Sequence, residues 1–172
     1  MRRKIQKYLS GEREGFSLIE LIIVIAIMAV LVVVLAPQYL KYVERSRNST
    51  DTSNATSIVT ALQVWAADPN AGDKNEAGVV TTAFEKADTC TITISSTGGE
   101  ISDGNENGKK AAESALKEAA ITIGDVKCKS KTNWTSYIIK ATVEANGSLK
   151  IEYSSLPAPA AGADDALSLI HI

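Results

Sequence analysis

The feature that most constrains this chain is an unbroken apolar run near its N-terminus. All sixteen residues from 21 to 36 are apolar. Together with the residues just before it, the run forms a segment of residues 16–36 that would span roughly 30 Å as an α-helix, the thickness of a bilayer core. Outside the run the hydrophobic fraction falls from 45% to roughly 39%, below the usual value for soluble domains. The sequence therefore predicts a membrane-spanning helix joined to a polar globular part.

Length and charge exclude several classes of protein. The 172 residues suffice for one globular unit with an appendage, which excludes a large multidomain enzyme. Eighteen Lys and Arg against twenty Asp and Glu give a net charge of −2, so we expect no nucleic-acid partner. The single histidine is His171, and no catalytic carboxylate pair, Ser/His/Asp set or His/Cys cluster can be assembled. We therefore expect no enzymatic activity, no catalytic residues, no cofactor and no metal.

The fifteen residues before the apolar segment form a basic leader with a charge of +3. Such a flank is retained on the cytoplasmic side of a membrane. An ordinary secretory signal places its small-residue cleavage site after the apolar region. Here the small residue, Gly15, precedes the apolar region. Cleavage after Gly15 would remove only the leader and leave the hydrophobic helix on the mature chain.

Glu20 is an anomaly because it lies inside this apolar segment. A carboxylate there costs up to about 2.5–3.5 kcal/mol on insertion scales, and less toward the interface. One interpretation is a side chain that reaches the membrane boundary. The other is that cleavage after Gly15 creates an ammonium group on Phe16, which neutralises Glu20 between neighbouring subunits of an apolar bundle. Spacing alone leaves both interpretations open.

Residues 15–20 read Gly-Phe-Ser-Leu-Ile-Glu, after a short basic leader and before a long apolar helix, and this pattern resembles a type IV prepilin. Pro37 lies where that family often has a helix-kinking proline. The resemblance covers residues 1–68, and the remainder only in outline. It implies cleavage between Gly15 and Phe16 by a prepilin peptidase, methylation of the new Phe16 amine, and subunit docking guided by Glu20.

The resemblance also implies a function, a location and a set of partners. The function is that of a structural subunit of a type IV pilus, which polymerises through its N-terminal helix. The partners are other copies of the chain, the prepilin peptidase, a membrane platform protein and an assembly ATPase. The precursor would lie in the cytoplasmic membrane as a single-pass protein, and the assembled subunit in an extracellular filament.

The alternative is a minor pilin, or a pseudopilin of type II secretion or competence. The head of such a protein would bind DNA or a surface. Removing the leader changes the net charge from −2 to about −5, which is unfavourable for phosphate contacts. Lys127, Lys129 and Lys131 nevertheless form a local basic patch. All of these proteins share the same kind of leader and apolar N-terminal helix, so the sequence does not distinguish between them.

Helical spacing continues beyond Pro37 and ends near residue 68, where Asp-Pro-Asn breaks it. A helix over residues 16–68 would be roughly 80 Å long, more than a bilayer needs. Its part at residues 37–68 therefore requires another partner, and a β-sheet is the simplest one. Trp65 is of the type and spacing that packs in such a core.

The remaining sequence predicts a small antiparallel sheet. Strand patterns occur at residues 90–94, 121–128, 137–144 and 148–153, and a short helix is predicted at residues 109–120. The Asn-Gly pair at residues 146–147 predicts a hairpin. The fold class is therefore α+β, a long N-terminal helix packed on a sheet in a head of residues 69–154, similar to a pilin head.

Cys90 and Cys128 are the two cysteines of the chain. A head that faces outward from the membrane lies in a compartment that permits disulfides. We predict one bridge between them, with two unpaired buried thiols as the alternative.

Two further patterns nearly form sites. Asp103, Asn105, Asn107 and Gly108 fit the first half of a calcium loop, but the second half fails because position 114 is Ser114. We therefore interpret this segment as a polar surface loop.

Asn-x-Ser/Thr triplets begin at Asn48, Asn54, Asn133 and Asn146, and Glu144 precedes the last at the spacing preferred by bacterial oligosaccharide transferases. Polar sequences produce such triplets by chance, and Asn146 is also accounted for by its turn.

The chain ends in a linker-like stretch at residues 155–166 followed by Leu-Ser-Leu-Ile-His-Ile at residues 167–172. These six residues are what CTG TCT CTT ATA CAC ATC encodes, and they resemble a transposase sequencing adapter read in frame. We expect that residues 167–172 are not biological, so His171 carries no functional weight.

Overall fold

The computed structural model describes residues 17–72 and 81–156. The predicted leader at residues 1–15, the Phe16 amine and the tail from residue 157 onward lie outside these ranges. The first helix, α1, spans Leu18–Ala67. The elements that follow are β1 (Thr89–Ser95), β2 (Gly99–Gly104), α2 (Glu106–Glu118), a 3₁₀ turn (Ile123–Asp125), β3 (Ser136–Val143) and β4 (Leu149–Leu156). The predicted α+β class is confirmed, with a long N-terminal helix and a four-stranded antiparallel sheet.

The chain divides into two compact units, Met1–Tyr42 and Val43–Ile172. The division falls inside α1, so this helix contributes to both units. In the first unit its side chains are exposed throughout the described residues. In the second unit the helix contributes a buried face to the core of the head.

The sheet has the order β2-β1-β3-β4, and every neighbouring pair is antiparallel. At its centre Ile92 of β1 pairs with Ile139 of β3, which pairs with Tyr153 of β4. The predicted hairpin between β3 and β4 is confirmed. Its loop has five residues, 144–148, and turns at Gly147, whose φ of +86° is a left-handed value that favours glycine.

The core of the head lies between the sheet and the second half of α1. Alternate residues of β1 and β3 face inward, as the period of two in a strand requires. They pack with a helix face that repeats at three- and four-residue spacing and with the apolar side of α2. Trp65 is in this core, as predicted, and its Nε1 donates to the carbonyl of Thr82 at 2.9 Å. The helix face consists of Ala55, Ile58, Val59, Leu62 and Trp65.

Two of the strand predictions differ from the structure. Residues 121–128 hold the 3₁₀ turn instead of a strand, and they do not pair with any strand of the β2-β1-β3-β4 sheet. The segment makes one ladder-like bond, from the amide of Cys128 to the carbonyl of Ser95 at 2.9 Å. The strand β2 was not predicted, since its sequence GEISDG begins and ends in glycine. Gly104 is required there because a Cβ would overlap the carbonyl oxygen of Thr89.

Candidate functional site

The N-terminal part of α1 presents an apolar surface. Its large apolar side chains from Leu18 to Leu35 are each 46–75% exposed. Among the described residues, α1 is the one helix long and apolar enough to cross a membrane by length and composition. Exposed apolar surface of this extent indicates contact with lipid or with another protein.

Glu20 lies in the first turn of this helix and is part of a capping box. Its Oε2 accepts a hydrogen bond from the amide of Ser17 at 2.8 Å. The hydroxyl of Ser17 in turn accepts a long bond from the amide of Ile19 at 3.4 Å. Helix N-termini leave such amides without partners, and a carboxylate there also interacts favourably with the helix dipole. Glu20 therefore has a local role in starting the helix.

This capping role was missed at the sequence level, although the signal was present. Ser-x-x-Glu before an apolar run is the sequence signature of a capping box, and residues 17–20 match it. Two members of the predicted assembly site, Glu20 and Pro37, lie on the same helix, while Phe16 lies outside the described residues. The helix continues through Pro37, which has no amide hydrogen to donate to the preceding turn.

In the head, two buried carboxylates of α1 hold the loop at residues 128–134, and we call this arrangement the carboxylate clasp. Asp51 is fully buried. It accepts hydrogen bonds from the amides of Lys129 at 2.7 Å and Ser130 at 2.9 Å, and from Nε1 of Trp134 at 3.0 Å. The thiol of Cys128 lies 3.5 Å from the same carboxylate. These donors replace the water that a buried carboxylate loses.

Glu44 lies two helical turns before Asp51 and binds the next part of the loop. Its Oε1 accepts from the hydroxyl of Ser130 at 2.6 Å, and from the amides of Lys131 at 2.7 Å and Thr132 at 3.0 Å. Burial by itself would raise the pKa of Glu44, but these hydrogen bonds and Arg47 lower it from 4.5 to about 2. Glu44 is therefore ionised at neutral pH.

The carboxylate clasp determines which side chains of the loop face outward. Cys128 and Ser130 are buried, whereas Lys127, Lys129 and Lys131 are exposed. Because four successive amides, at residues 129–132, bind the two carboxylates, the loop backbone is held in place. We call these three exposed lysines the lysine stripe, and the amides of two of them, Lys129 and Lys131, bind the carboxylates.

Cys90 and Cys128 are free, buried thiols in the structure, so the predicted bridge is not present. The sheet keeps them apart. Cys128 donates its amide to Ser95, and Ser95 is five residues from Cys90 on β1, which is about 16 Å of strand. A disulfide needs Cα atoms within about 7 Å.

The thiols are also poor nucleophiles. Burial raises the pKa of Cys90 to about 11, and burial together with the charge of Asp51 raises that of Cys128 to about 12. Both remain protonated at neutral pH, and the thiolate is the reactive form.

The residues of the incomplete calcium pattern bind the protein instead. Asn105 and Asn107 donate to the carboxylate of Asp88 at 2.8 and 2.6 Å. The side chain of Asn105 also accepts from the amide of Gly108 at 3.0 Å and caps α2. This segment therefore forms the N-terminus of α2. The prediction of a polar surface loop did not identify this role.

Comparison with known proteins finds one match. Residues 12–36 match the protein-family model described as the prokaryotic N-terminal methylation motif. No curated protein and no solved structure matches the chain. The motif includes Glu20 and the exposed apolar part of α1, and it is followed by an α+β head that fits a pilin-like fold. The chain therefore carries the class III signal peptide of type IV prepilins. The resemblance to that family predicted from residues 15–20 is confirmed for this motif.

Proposed function

We propose that this chain is a structural subunit of a type IV pilus, which polymerises through its N-terminal helix after the leader is removed. The observation that carries the proposal is the methylation motif at residues 12–36, which includes an apolar helix surface that no described residue covers. A membrane-resident precursor and a filament subunit both need such a surface. This role needs no catalytic residue and no cofactor.

Processing occurs between Gly15 and Phe16. A prepilin peptidase removes the basic leader, and the new amine of Phe16 is methylated. Mass spectrometry of the mature chain should find an N-terminus at Phe16 with one added methyl group. A mature chain that retains its leader, or begins at another residue, would overturn this part of the proposal.

Assembly then exchanges lipid for protein around the helix. A membrane platform protein and an assembly ATPase extract the precursor, and the apolar surface of residues 16–36 packs against the same surface of neighbouring copies. An unpaired charge in this apolar bundle is costly. The Phe16 ammonium of one copy neutralises Glu20 of its neighbour, which favours one axial register.

The capping role of Glu20 determines how this pairing is tested. Replacement by alanine removes the charge and the helix cap together, whereas glutamine keeps a side-chain acceptor that serves in capping boxes. We expect Glu20→Gln and Glu20→Ala to insert into the membrane normally and both to lose most of the filament yield. The measurement is the ratio of sheared filaments to the membrane pool, with Glu106→Gln, an exposed acid at the start of α2, as the control. If Glu20→Gln formed normal filaments, the charge of Glu20 would not be needed for assembly, and the residue would have only its capping role.

A minor pilin or pseudopilin with a binding head is the second candidate, and the lysine stripe favours it. Lys127, Lys129 and Lys131 are exposed, and the carboxylate clasp holds the backbone at Lys129 and Lys131, so little backbone entropy is lost there when an anion binds. A gel-shift titration of the full chain in detergent against duplex DNA separates the candidates. DNA binding that falls steeply with salt and is lost when all three lysines are changed to glutamine supports this candidate. High abundance in sheared filaments without such binding supports the structural subunit.

A further inference from the structure

The structure describes all four Asn-x-Ser/Thr triplets and separates them by accessibility. Asn48 and Asn54 lie in the middle of α1. The side-chain oxygen of Asn48 is buried without a hydrogen-bond partner among the described residues. A transferase that binds an extended segment could reach these two asparagines only after the helix unwound. Neither triplet is presented by the folded head.

The triplet at Asn133 is held inside the carboxylate clasp. Its middle residue, Trp134, is 1% exposed and donates Nε1 to Asp51. The hydroxyl of its third residue, Thr135, donates to the carbonyl of Leu156 at 2.6 Å. Binding of this triplet to another protein would break both contacts, so it is not presented either.

The triplet at Asn146 is different because it forms the tip of the β3–β4 hairpin. Residues 144–148 are all exposed. The hydroxyl of Ser148 donates to Oδ1 of Asn146 at 2.8 Å, and it also lies 3.2 Å from Oε2 of Glu144. Oδ1 of Asn146 accepts the amide of Ser148 as well, at 2.8 Å. Nδ2 of Asn146 makes no hydrogen bond with any described residue.

The residue two positions before the asparagine also distinguishes this triplet. It is Ser46, Thr52 and Lys131 for the other three, and Glu144 for Asn146. An acid at this position is the preference of bacterial oligosaccharide transferases. The acid, the amide and the hydroxyl therefore lie together at one exposed turn.

We propose that Asn146 is an N-glycosylation site that accepts an oligosaccharide from a polyprenyl-diphosphate donor after the head is exported. A bond forms between Nδ2 of Asn146 and the anomeric carbon of the first sugar. The bond from that carbon to the diphosphate oxygen breaks, and the lipid diphosphate leaves with the electron pair. One amide proton passes to a base of the transferase, and no oxidation or reduction takes place. The reaction needs export of the head but no polymerisation, so it is independent of the proposed pilus function.

The test is the mass of the exported full chain purified from the cells that produce it. We expect a fraction of the chain to carry one glycan, located by peptide mapping on Asn146. Asn146→Asp keeps a side-chain oxygen for the contacts to Ser148 but lacks the nitrogen, and it should lose the added mass completely. Ser148→Ala and Glu144→Gln should lose most of it, whereas Ser148→Thr should retain it. Asn133→Asp is the matched control and should leave the added mass unchanged.

Two results would overturn the proposal. One is a wild-type chain whose peptide around residue 146 is wholly unmodified in these cells. The other is a glycan that remains in Asn146→Asp, because it would then be attached elsewhere. Loss of filaments in any variant has no bearing on either result, since the exported membrane pool can be analysed directly.

Discussion

The two halves of α1 have the same backbone structure and opposite surroundings. In the first unit Leu35 is 55% exposed, while in the second unit Leu62 is fully buried. The acids show the same contrast. Glu20 accepts one hydrogen bond from its own helix, whereas Asp51 is buried and binds donors from a loop almost eighty residues away. Helix formation therefore does not determine burial, and the exposed apolar surface of the first half indicates contact with lipid or with another protein.

Removal of the buried acid should have the largest effect on stability. Asp51→Ala leaves the amides of Lys129 and Ser130 and the indole of Trp134 without an acceptor. We expect a loss of about 3–5 kcal/mol in the free energy of unfolding, because each unsatisfied buried donor costs about 1–3 kcal/mol. The measurement is urea unfolding of the full chain in detergent, followed by tryptophan fluorescence. Asp125→Ala, at an exposed acid, should change the stability by less than about 0.5 kcal/mol. A loss below about 1 kcal/mol for Asp51→Ala would contradict the role of the carboxylate clasp.

One substitution made in each half of the helix tests the comparison directly. Leu62→Ala should cost about 3 kcal/mol because it opens a cavity in a packed core. Leu35→Ala in the same detergent assay should cost less than about 0.5 kcal/mol, since its side chain has no packed surroundings in the single chain. Equal losses for the two variants would mean that the first half is also packed within the subunit. In filaments the order should change, with Leu35→Ala reducing the yield.

The pH dependence of the free energy of unfolding should reflect the ionisation of Glu44. Its pKa is lowered in the folded chain from 4.5 to about 2, so the stabilisation is complete above pH 4.5 and is lost as the pH falls toward 2. The shift corresponds to about 3 kcal/mol. Unfolding curves of the wild type and Glu44→Gln between pH 6 and 2 provide the measurement. The wild type should lose more stability than the variant over this interval, and parallel curves would contradict the assignment.

The smallest expected effect concerns the two cysteines. Because Cys90 and Cys128 are free thiols in the structure, a reductant should leave the melting temperature unchanged. Thiol titration of the exported chain without reductant should find two thiols after unfolding and almost none before it, since both are buried. If no thiol were found after unfolding, the predicted disulfide would be present. The segment around Cys128 would then need a different register against β1.

Local patterns were sufficient for much of the fold. The spacing of apolar residues predicted α1 almost to its ends, and the Asn-Gly pair predicted the β3–β4 hairpin. The motif around Glu20 was readable as well, although its capping function was overlooked. The strand β2 was not predicted because GEISDG has little strand character, and it becomes a strand by pairing with β1. Residues 121–128 have that character but do not join the sheet, and they form the 3₁₀ turn instead.

The sequence was therefore enough for the features that depend on a few neighbouring residues, namely the helix, its apolar half and the methylation motif. Tertiary contacts alone decided that Asp51 and Glu44 are buried and hydrogen-bonded, and that the two cysteines are unpaired. Nothing near Asp51 in the sequence distinguishes it from the exposed Asp125. Its burial depends on amides that arrive from residues 129 and 130, because a charge can leave water only where the folded chain supplies donors to replace it.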